Sequence, residues 1–395
     1  MRFLFIIVMI ISISSASSVS KIVEDSNHFG LDLYKHISSK KGNIFFSPYS
    51  VYSALSMAYL GASGNTRAQM IKVLHIDVDS NYLKSLKHLK STFVNKKDSA
   101  NTLAMANSLW IQKEFKIYAK FHEDTKSIFN NAFHTVDFMH HKNQSIEKIN
   151  SWVEKKTQNK IKTFLHHEDI DSLTRMILIN VIYFKGEWKY PFDGKKLKNR
   201  AFLLSNKSSI KISMFTKQGN YNYYEDKKYQ VVEIPYKNND YAMVVFLPKN
   251  RDIEAPYRGN LNKQILDNAI DNFELKRVAI TMPSFEMKKR YDLGKSLINM
   301  GMSEPFSSSA DFSKMTGDKS LYISKVIQQS FIKNSAKGTE ATVATSVIMS
   351  RKMITVDKRL RYRTFKMNRP FIFLIRDTKN KKILFIGRVV NPTKS

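Results

Sequence analysis

Asn43-Ile44-Phe45-Phe46-Ser47-Pro48-Tyr49-Ser50-Val51-Tyr52-Ser53-Ala54-Leu55-Ser56-Met57-Ala58-Tyr59-Leu60-Gly61-Ala62-Ser63-Gly64-Asn65-Thr66 is the run from which the architecture of this chain is read. Ser47 is a capping residue, Pro48 suits the first helical position, and Gly61 follows the last apolar residue, so the pattern predicts a helix over 49–60. Further along, Ile146 to Leu165 repeats the helical period, with Ile149, Trp152 and Val153 on one side. The later chain differs. Met176–Phe184, Ala242–Leu247, Val278–Met282, Phe371–Ile375 and Ile383–Ile386 are short β-branched or aromatic runs bounded by turn or charged residues, which read as buried strands. Helices first and strands later, without βαβ alternation, predict an α+β fold built on large sheets. No repeat and no Pro/Gly/Ser-rich linker divides the chain, which argues for one large domain.

Composition sets the limits. The 395 residues include no cysteine, and 64 Lys+Arg against 34 Asp+Glu leave a formal charge of +30. Disulfides, cysteine-type zinc sites, iron–sulfur clusters and thiol nucleophiles are thereby excluded. With 43% hydrophobic and 12% aromatic residues, the chain can bury a core large enough to dispense with covalent staples. The positive charge predicts attraction to polyanions.

Met1-Arg2 followed by an apolar run over Phe3–Ile11 and small residues at Ser14-Ser15-Ala16 has the form of a secretory signal covering 1–16, shorter than a membrane span needs. Secretion demotes nucleic acid as the polyanion and favours heparin-like glycan. Asn143-Gln144-Ser145 and Asn206-Lys207-Ser208 are candidate N-glycosylation sequons.

Enzyme signatures are missing: there is no G-x-S-x-G, H-E-x-x-H, G-x-x-x-x-G-K-[ST] or strand-linked G-x-G-x-x-G. His140-His141 and His166-His167, the latter beside Glu168 and Asp169, are a conceivable metal pair. Adjacent histidines on a helix diverge by about 100°, however, so a solvated polar surface is expected and no metal or cofactor is assigned.

The opening run, together with Asn107-Ser108-Leu109-Trp110, Asn180-Val181-Ile182-Tyr183-Phe184-Lys185-Gly186-Glu187-Trp188, Ile234-Pro235-Tyr236, Met282-Pro283-Ser284-Phe285, Gly338-Thr339-Glu340-Ala341-Thr342, Asn368-Arg369-Pro370-Phe371 and Phe385–Pro392, resembles the serpin superfamily of protease inhibitors. The resemblance covers about residues 25–392 in order. It implies a single metastable domain of three β-sheets with about nine helices, no catalytic turnover, and an exposed reactive loop at about 336–366 that serves as bait for a protease.

The loop's own residues suit that role. In Gly338–Val347 there is no helical stripe and no large apolar side chain, so the segment can stay in solvent. Counting by two, Thr339, Ala341, Val343, Thr345, Val347 and Met349 are small or apolar while Glu340 falls on the opposite set, as a strand with one buried face requires. Gly338, Thr339, Glu340, Ala341, Thr342, Val343, Ala344 and Thr345 form the expected hinge. The family's spacing of roughly fourteen residues from the hinge glycine leads to Lys352, so Lys352-Met353 is the expected scissile bond, with Arg351 as rival. Either side chain suits a pocket floored by a carboxylate, hence a trypsin-like serine protease. The segment after Lys352 is several residues longer than the resemblance leads one to expect, which leaves Lys358, Arg359 and Arg361 as later cleavage points. Ala336 and Lys337 replace an acidic pair common in inhibitory members.

Gln328 stands where many serpins carry a histidine beneath the sheet that opens, and with Ser47, Ser50 and Asn180 it is expected to form a polar cluster controlling insertion. Trp188 resembles the family's tryptophan near the top of that sheet. Residues 82–97, Tyr82 to Lys90 and then Lys96-Lys97, resemble the heparin-binding helix of some serpins, with Leu83, Leu86 and Leu89 expected inward and Lys84, Lys87, His88 and Lys90 outward. Lys185, Lys189, Lys195, Lys196, Lys198 and Arg200 form a second basic cluster. The expected protein is thus a secreted, monomeric, suicide-substrate inhibitor of trypsin-like proteases. Its rivals are a non-inhibitory serpin acting as a carrier and a trap for cysteine proteases.

Overall fold

The structure, a computed structural model, describes residues 2–39, 41–77, 82–91, 100–129, 132–157, 159, 161–193, 197–206, 208–249, 261–339 and 361–394, with side chains from Ser20 onward in the first helix and through Lys87 in the fourth. Nine α-helices lie among the described residues: α1 (Arg2–Ile37), α2 (Pro48–Gly61), α3 (Gly64–Leu74), α4 (Tyr82–Ser91), α5 (Ala119–Phe129), α6 (Lys142–Lys156), α7 (Lys263–Asp271), α8 (Gly294–Asn299) and α9 (Ser313–Thr316). The strands are β1 (Ile44–Phe46), β2 (Asn101–Gln112), β3 (Phe133–Val136), β4 (Met176–Glu187), β5 (Lys198–Leu203), β6 (Ser209–Glu225), β7 (Tyr229–Pro235), β8 (Tyr241–Pro248), β9 (Glu274–Pro283), β10 (Phe285–Asp292), β11 (Ile323–Asn334), β12 (Gly338–Thr339), β13 (Arg363–Lys366), β14 (Phe371–Asp377) and β15 (Ile383–Val389).

Helix α2 starts where the cap pattern puts it, with Ser47 Oγ accepting from the Ser50 amide and Pro48 in the first turn. It is buried on nearly every side, as an all-round apolar helix must be. The apolar runs are strands, and β4, β14 and β15 are buried along almost their whole length, so both of their faces are covered.

Hydrogen bonding joins the described strands into two sheets rather than three. One has nine strands in the order β1-β15-β14-β8-β7-β6-β9-β13 with β5 on β6; the other has six, β10-β11-β12-β4-β2-β3. The merger has a simple cause: β6 is 17 residues long and shared, pairing with β5 over 209–214, with β9 over 214–223 and with β7 over 222–225. Two would-be sheets therefore run continuously through it.

The side-chain alternation of β4 distributes the core. Ile182 and Phe184 face inward with Phe45, Tyr236, Phe373 and Phe385 between the sheets. Ile177, Ile179 and Val181 face the other way, in one cluster with Ile327 of β11, Trp110 of β2, and Ile149 and Val153 of α6. Helix α6 thus lies across the outer face of the six-stranded sheet.

Three local expectations are corrected. Helix α6 ends at Lys156 instead of continuing to Leu165: Asn159 is left-handed at φ 62°, and Asn150 Oδ1 accepts from the amides of Phe164 (3.1 Å) and Leu165 (2.8 Å), fixing that stretch as an extended return. In α4, Leu83 is 44% exposed, because the inward stripe is Tyr82, Ser85 and Leu86; the Tyr82 hydroxyl reaches Ser56 Oγ at 2.8 Å. His140 and His141 precede α6, with His141 at its N-cap, so the 100° divergence does not apply to them.

Lys382 is fully buried, its ammonium nitrogen 4.5 Å from the centre of the Tyr49 ring. Burial lowers its pKa to about 7, against a smaller upward pull from Asp377. Because the folded pKa is depressed, the unfolded chain binds the extra proton between pH 7 and 10, so stability rises with pH across that window and levels off below it. Lys382→Met should remove this dependence: in urea midpoints measured from pH 7 to 9, wild type should gain about 1 kcal/mol per pH unit relative to the variant.

Candidate functional site

Strands β4 and β11 run parallel and pair directly from Met176 opposite Ile323 to Tyr183 opposite Phe331. Above that point they part around β12. The chain leaves β11 at Asn334 and reverses in a tight turn in which the Ser335 amide donates to Gly338 O at 2.9 Å and the Gly338 amide returns to Ser335 O at 3.3 Å. Gly338 and Thr339 then lie between the two strands, Thr339 opposite both Asn334 and Gly186, and Gly338 opposite Glu187. The first two hinge residues, expected in solvent with the rest of the loop, are therefore buried in the sheet.

Glycine is required here by contact. A Cβ on Gly338, at φ 156°, would sit 2.1 Å from Gly186 O and 2.7 Å from Glu187 Cα, and one on Gly186 would sit 2.7 Å from Tyr236 Cδ1. The Thr339 side chain points inward, its Oγ1 2.7 Å from the Tyr236 hydroxyl. Burial raises the Tyr236 pKa far above its ordinary value, while its bond to Thr339 pulls the other way, so the phenol is neutral and free to donate. Trp188 closes this end: it stacks on Tyr236 at 4.5 Å, donates from Nε1 to Ser335 O at 3.0 Å, and its amide donates to Lys337 O at 3.0 Å. Ala336 O accepts from the Phe192 amide. The turn uses the backbone of Ala336 and Lys337, and Ala336 also packs against the cluster that holds Trp188, Phe192 and Tyr236.

Lower in the seam, the expected polar cluster is assembled. Gln328 Nε2 donates to Ser47 O (2.9 Å) and to Asn180 Oδ1 (2.5 Å), while the Ser47 amide donates to Gln328 Oε1 (3.1 Å). Asn180 Nδ2 donates to Ser50 Oγ and to Asn107 Oδ1. Asn107 is a member that sequence reading left out. It stands opposite Asn180, which stands opposite Gln328, so three amides form a row across β2, β4 and β11. A polar residue interrupting an apolar strand was the available signal, as at Asn180. Tyr236 and Gly186, also unassigned from sequence, owe their roles to tertiary contact.

Lys84 and Lys87 are exposed on α4, while the side chains of His88 and Lys90 lie outside the described residues. In the second basic cluster Lys189, Lys198 and Arg200 are exposed, and Lys195 and Lys196 lie outside. Asn143 is exposed in the first turn of α6, but Ser145 of its sequon is buried and donates to Asp137 O at 2.8 Å. Asn206 is exposed in a turn, its Oδ1 accepting from Ser208 Oγ at 2.7 Å. Glu340, Ala341, Thr342, Val343, Ala344, Thr345, Arg351, Lys352 and Met353 lie outside the described residues.

A six-stranded sheet with a seam between β4 and β11, entered from the top by β12, defines a class of protein. The model of the family described as serpin (serine protease inhibitor) matches residues 24–392. Leukocyte elastase inhibitor A of Mus musculus is 34% identical over 375 residues, spanning 92% of this chain and 97% of its own; leukocyte elastase inhibitor of Bos taurus is 34% identical over 380 residues, spanning 93% and 98%. Among solved structures, Serpin48 of the insect Tenebrio molitor superposes with a TM-score of 0.83 at 27% identity, covering 94% of this chain and 98% of that one, and uncleaved ovalbumin with 0.85 at 26%, covering 94% and 100%. The chain belongs to the serpin family. Members of that family are inhibitors rather than catalysts, and this protein is a serpin-type protease inhibitor.

Gly338→Ala should expel β12, since the added methyl meets the β4 backbone at Gly186 O and Glu187 Cα. Hydrogen exchange followed by mass spectrometry should show amides of 334–339 exchanging at least tenfold faster than in wild type, with protection across β14 and β15 unchanged.

Proposed function

We propose that this protein inhibits trypsin-like serine proteases as a suicide substrate cut at Lys352-Met353. The observation that carries the reading is the placement of Gly338 and Thr339 at the mouth of the β4–β11 seam, in register and with the Thr339 side chain inward. A strand continued from Thr339 by period two puts Ala341, Val343 and Thr345 on that same inner face, and their small side chains suit it. In the proposed sequence the protease serine attacks the Lys352 carbonyl carbon and the Met353 nitrogen leaves as the amine. Residues from Glu340 onward then enter the seam before water reaches the ester. Carriage across the sheet distorts the oxyanion hole and triad on which deacylation depends.

The basic side chains at Arg351 and Lys352 favour a carboxylate-floored pocket, although the relatives above are named for an elastase. Incubation with trypsin should yield an SDS-stable complex and a released C-terminal peptide beginning at Met353. Complete cleavage without complex would instead favour the carrier reading, a complex only with a papain-type enzyme the cysteine-protease reading, and a peptide beginning at Lys352 would move the bond to Arg351.

The same reading makes the protein a secreted monomer whose signal is 1–16, tested by the N-terminus of the chain recovered from a eukaryotic culture medium; occupancy at Asn143 and Asn206 is read from the same material. The charge of +30 and the exposed Lys84 and Lys87 support binding of sulfated glycan at α4. Retention on heparin should fall steeply between 0.1 and 0.5 M salt and weaken in Lys84→Ala/Lys87→Ala; elution below physiological salt would overturn it.

A further inference from the structure

The junction where β2 and β3 end and α6 begins gathers ligand-type side chains that neither the hinge nor the seam uses. Glu114 follows β2, Asp137 follows β3, and His140 and His141 lead into α6. One ligand atom each of Glu114, Asp137 and His140 lies within 4.8 Å of the other two, and His141 Nδ1 is 2.7 Å from Asp137 Oδ2. The cluster is mixed in chemistry, two carboxylates with two imidazoles. It is also oriented. Asp137 is 8% exposed and held by the His140 amide at 2.9 Å and Gln112 Nε2 at 3.2 Å, both on Oδ1. Gln112 Nε2 also donates to Glu114 Oε2, so a single amide bridges the two carboxylates.

Positive charge already sits at this spot. The Lys113 ammonium is 2.8 Å from Asp137 Oδ2, and its side chain is 51% exposed, free to swing into solvent when displaced. Glu114 and His140 are exposed and able to close the gap to the roughly 2.0–2.2 Å that nitrogen and oxygen ligands take on zinc.

We propose that Glu114, Asp137 and His140, with His141 as a fourth donor, bind a divalent transition-metal cation of the zinc class in place of the Lys113 ammonium. Imidazole donors select such a cation over calcium or magnesium, which prefer all-oxygen shells. The proposal goes beyond the expected solvated histidine pair, whose argument from helical divergence does not apply because both residues precede α6. Its position gives it a consequence. Helix α6 covers Ile177, Ile179 and Val181 of β4 and Ile327 of β11, the two sides of the seam. A bound cation ties the start of α6 to the ends of β2 and β3, and so makes it harder for the helix to lift as the seam widens.

The test uses the full-length protein freed of metal with chelator. Titration with Zn2+ at pH 7.5 should show one ion per chain at this site and raise the thermal midpoint by a few degrees. Glu114→Gln/His140→Asn should weaken that binding at least tenfold while melting within about 2 °C of wild type in chelator, because both side chains are exposed; His140→Asn alone, with a smaller loss, serves if the double variant melts early. A tenfold excess of Ca2+ should leave zinc binding unchanged. No zinc uptake, uptake equal in wild type and variants, or equal competition by Ca2+ would each overturn the proposal.

Discussion

The row Asn107, Asn180 and Gln328 is the constraint on which the six-stranded sheet depends. Strand β4 is apolar from Met176 to Phe184 apart from Asn180, and a purely hydrophobic match would tolerate slippage by two residues. Buried amides do not tolerate it: each must meet its partner or forfeit roughly 1–3 kcal/mol. Because Gln328 grips both Ser47 and Asn180, the same bonds that set the register also anchor the sheet to the start of α2. Ser330 repeats the idea two residues on, donating from Oγ to Phe45 O at 2.6 Å. The seam is therefore held in register by specific hydrogen bonds from Asn180, Gln328 and Ser330 as well as by apolar burial.

Such closure is strong against partial motion and weak against replacement. A strand entering between β4 and β11 supplies backbone donors and acceptors to both, so the ladder bonds lost along the seam are returned twofold. At the top this exchange is already complete over Gly338 and Thr339, where the β4 backbone leaves no room for a Cβ on Gly338 and the Tyr236 and Phe184 rings leave none on Gly186. Trp188, stacked on Tyr236 and bonded to Ser335 O, caps the place where the exchange stops.

Much of this could be read from the chain. Helix α2 and its cap, the five apolar strands and the partnership of Ser47, Ser50, Asn180 and Gln328 follow from local pattern or family resemblance, and the structure brings those four residues together, Ser47 meeting Gln328 through its backbone. What was missed depends on the third dimension. Leu83 was placed inward because a leucine repeat is indistinguishable from the stripe one residue over until Tyr82 finds Ser56. The helix ending at Lys156 was over-extended because Asn150 competes for the amides of Phe164 and Leu165 from fifteen residues away. Two sheets replace three because no local signal says that one 17-residue strand serves both. Adjacent histidines carry no local sign of whether they lie inside a helix or before it, and His140 and His141 sit on the approach to α6 and share Asp137.

The absence of cysteine takes its meaning from how the core is divided. The nine-stranded sheet packs on one side against α1 and α2 and on the other against the inner face of the six-stranded sheet, with β14 and β15 buried throughout. In the proposed insertion that body would stay intact, because the cost would fall on the β4–β11 pairing and on the contacts of α6 with Ile177, Ile179, Val181 and Ile327. A disulfide across the seam or from α6 to the sheet would forbid the movement, whereas one within the nine-stranded body would add stability where burial of Phe45, Phe373 and Phe385 already provides it. Reversible ties are the kind this architecture can use: amides in the seam, a stacked indole at its mouth, and exchangeable charge at the start of α6.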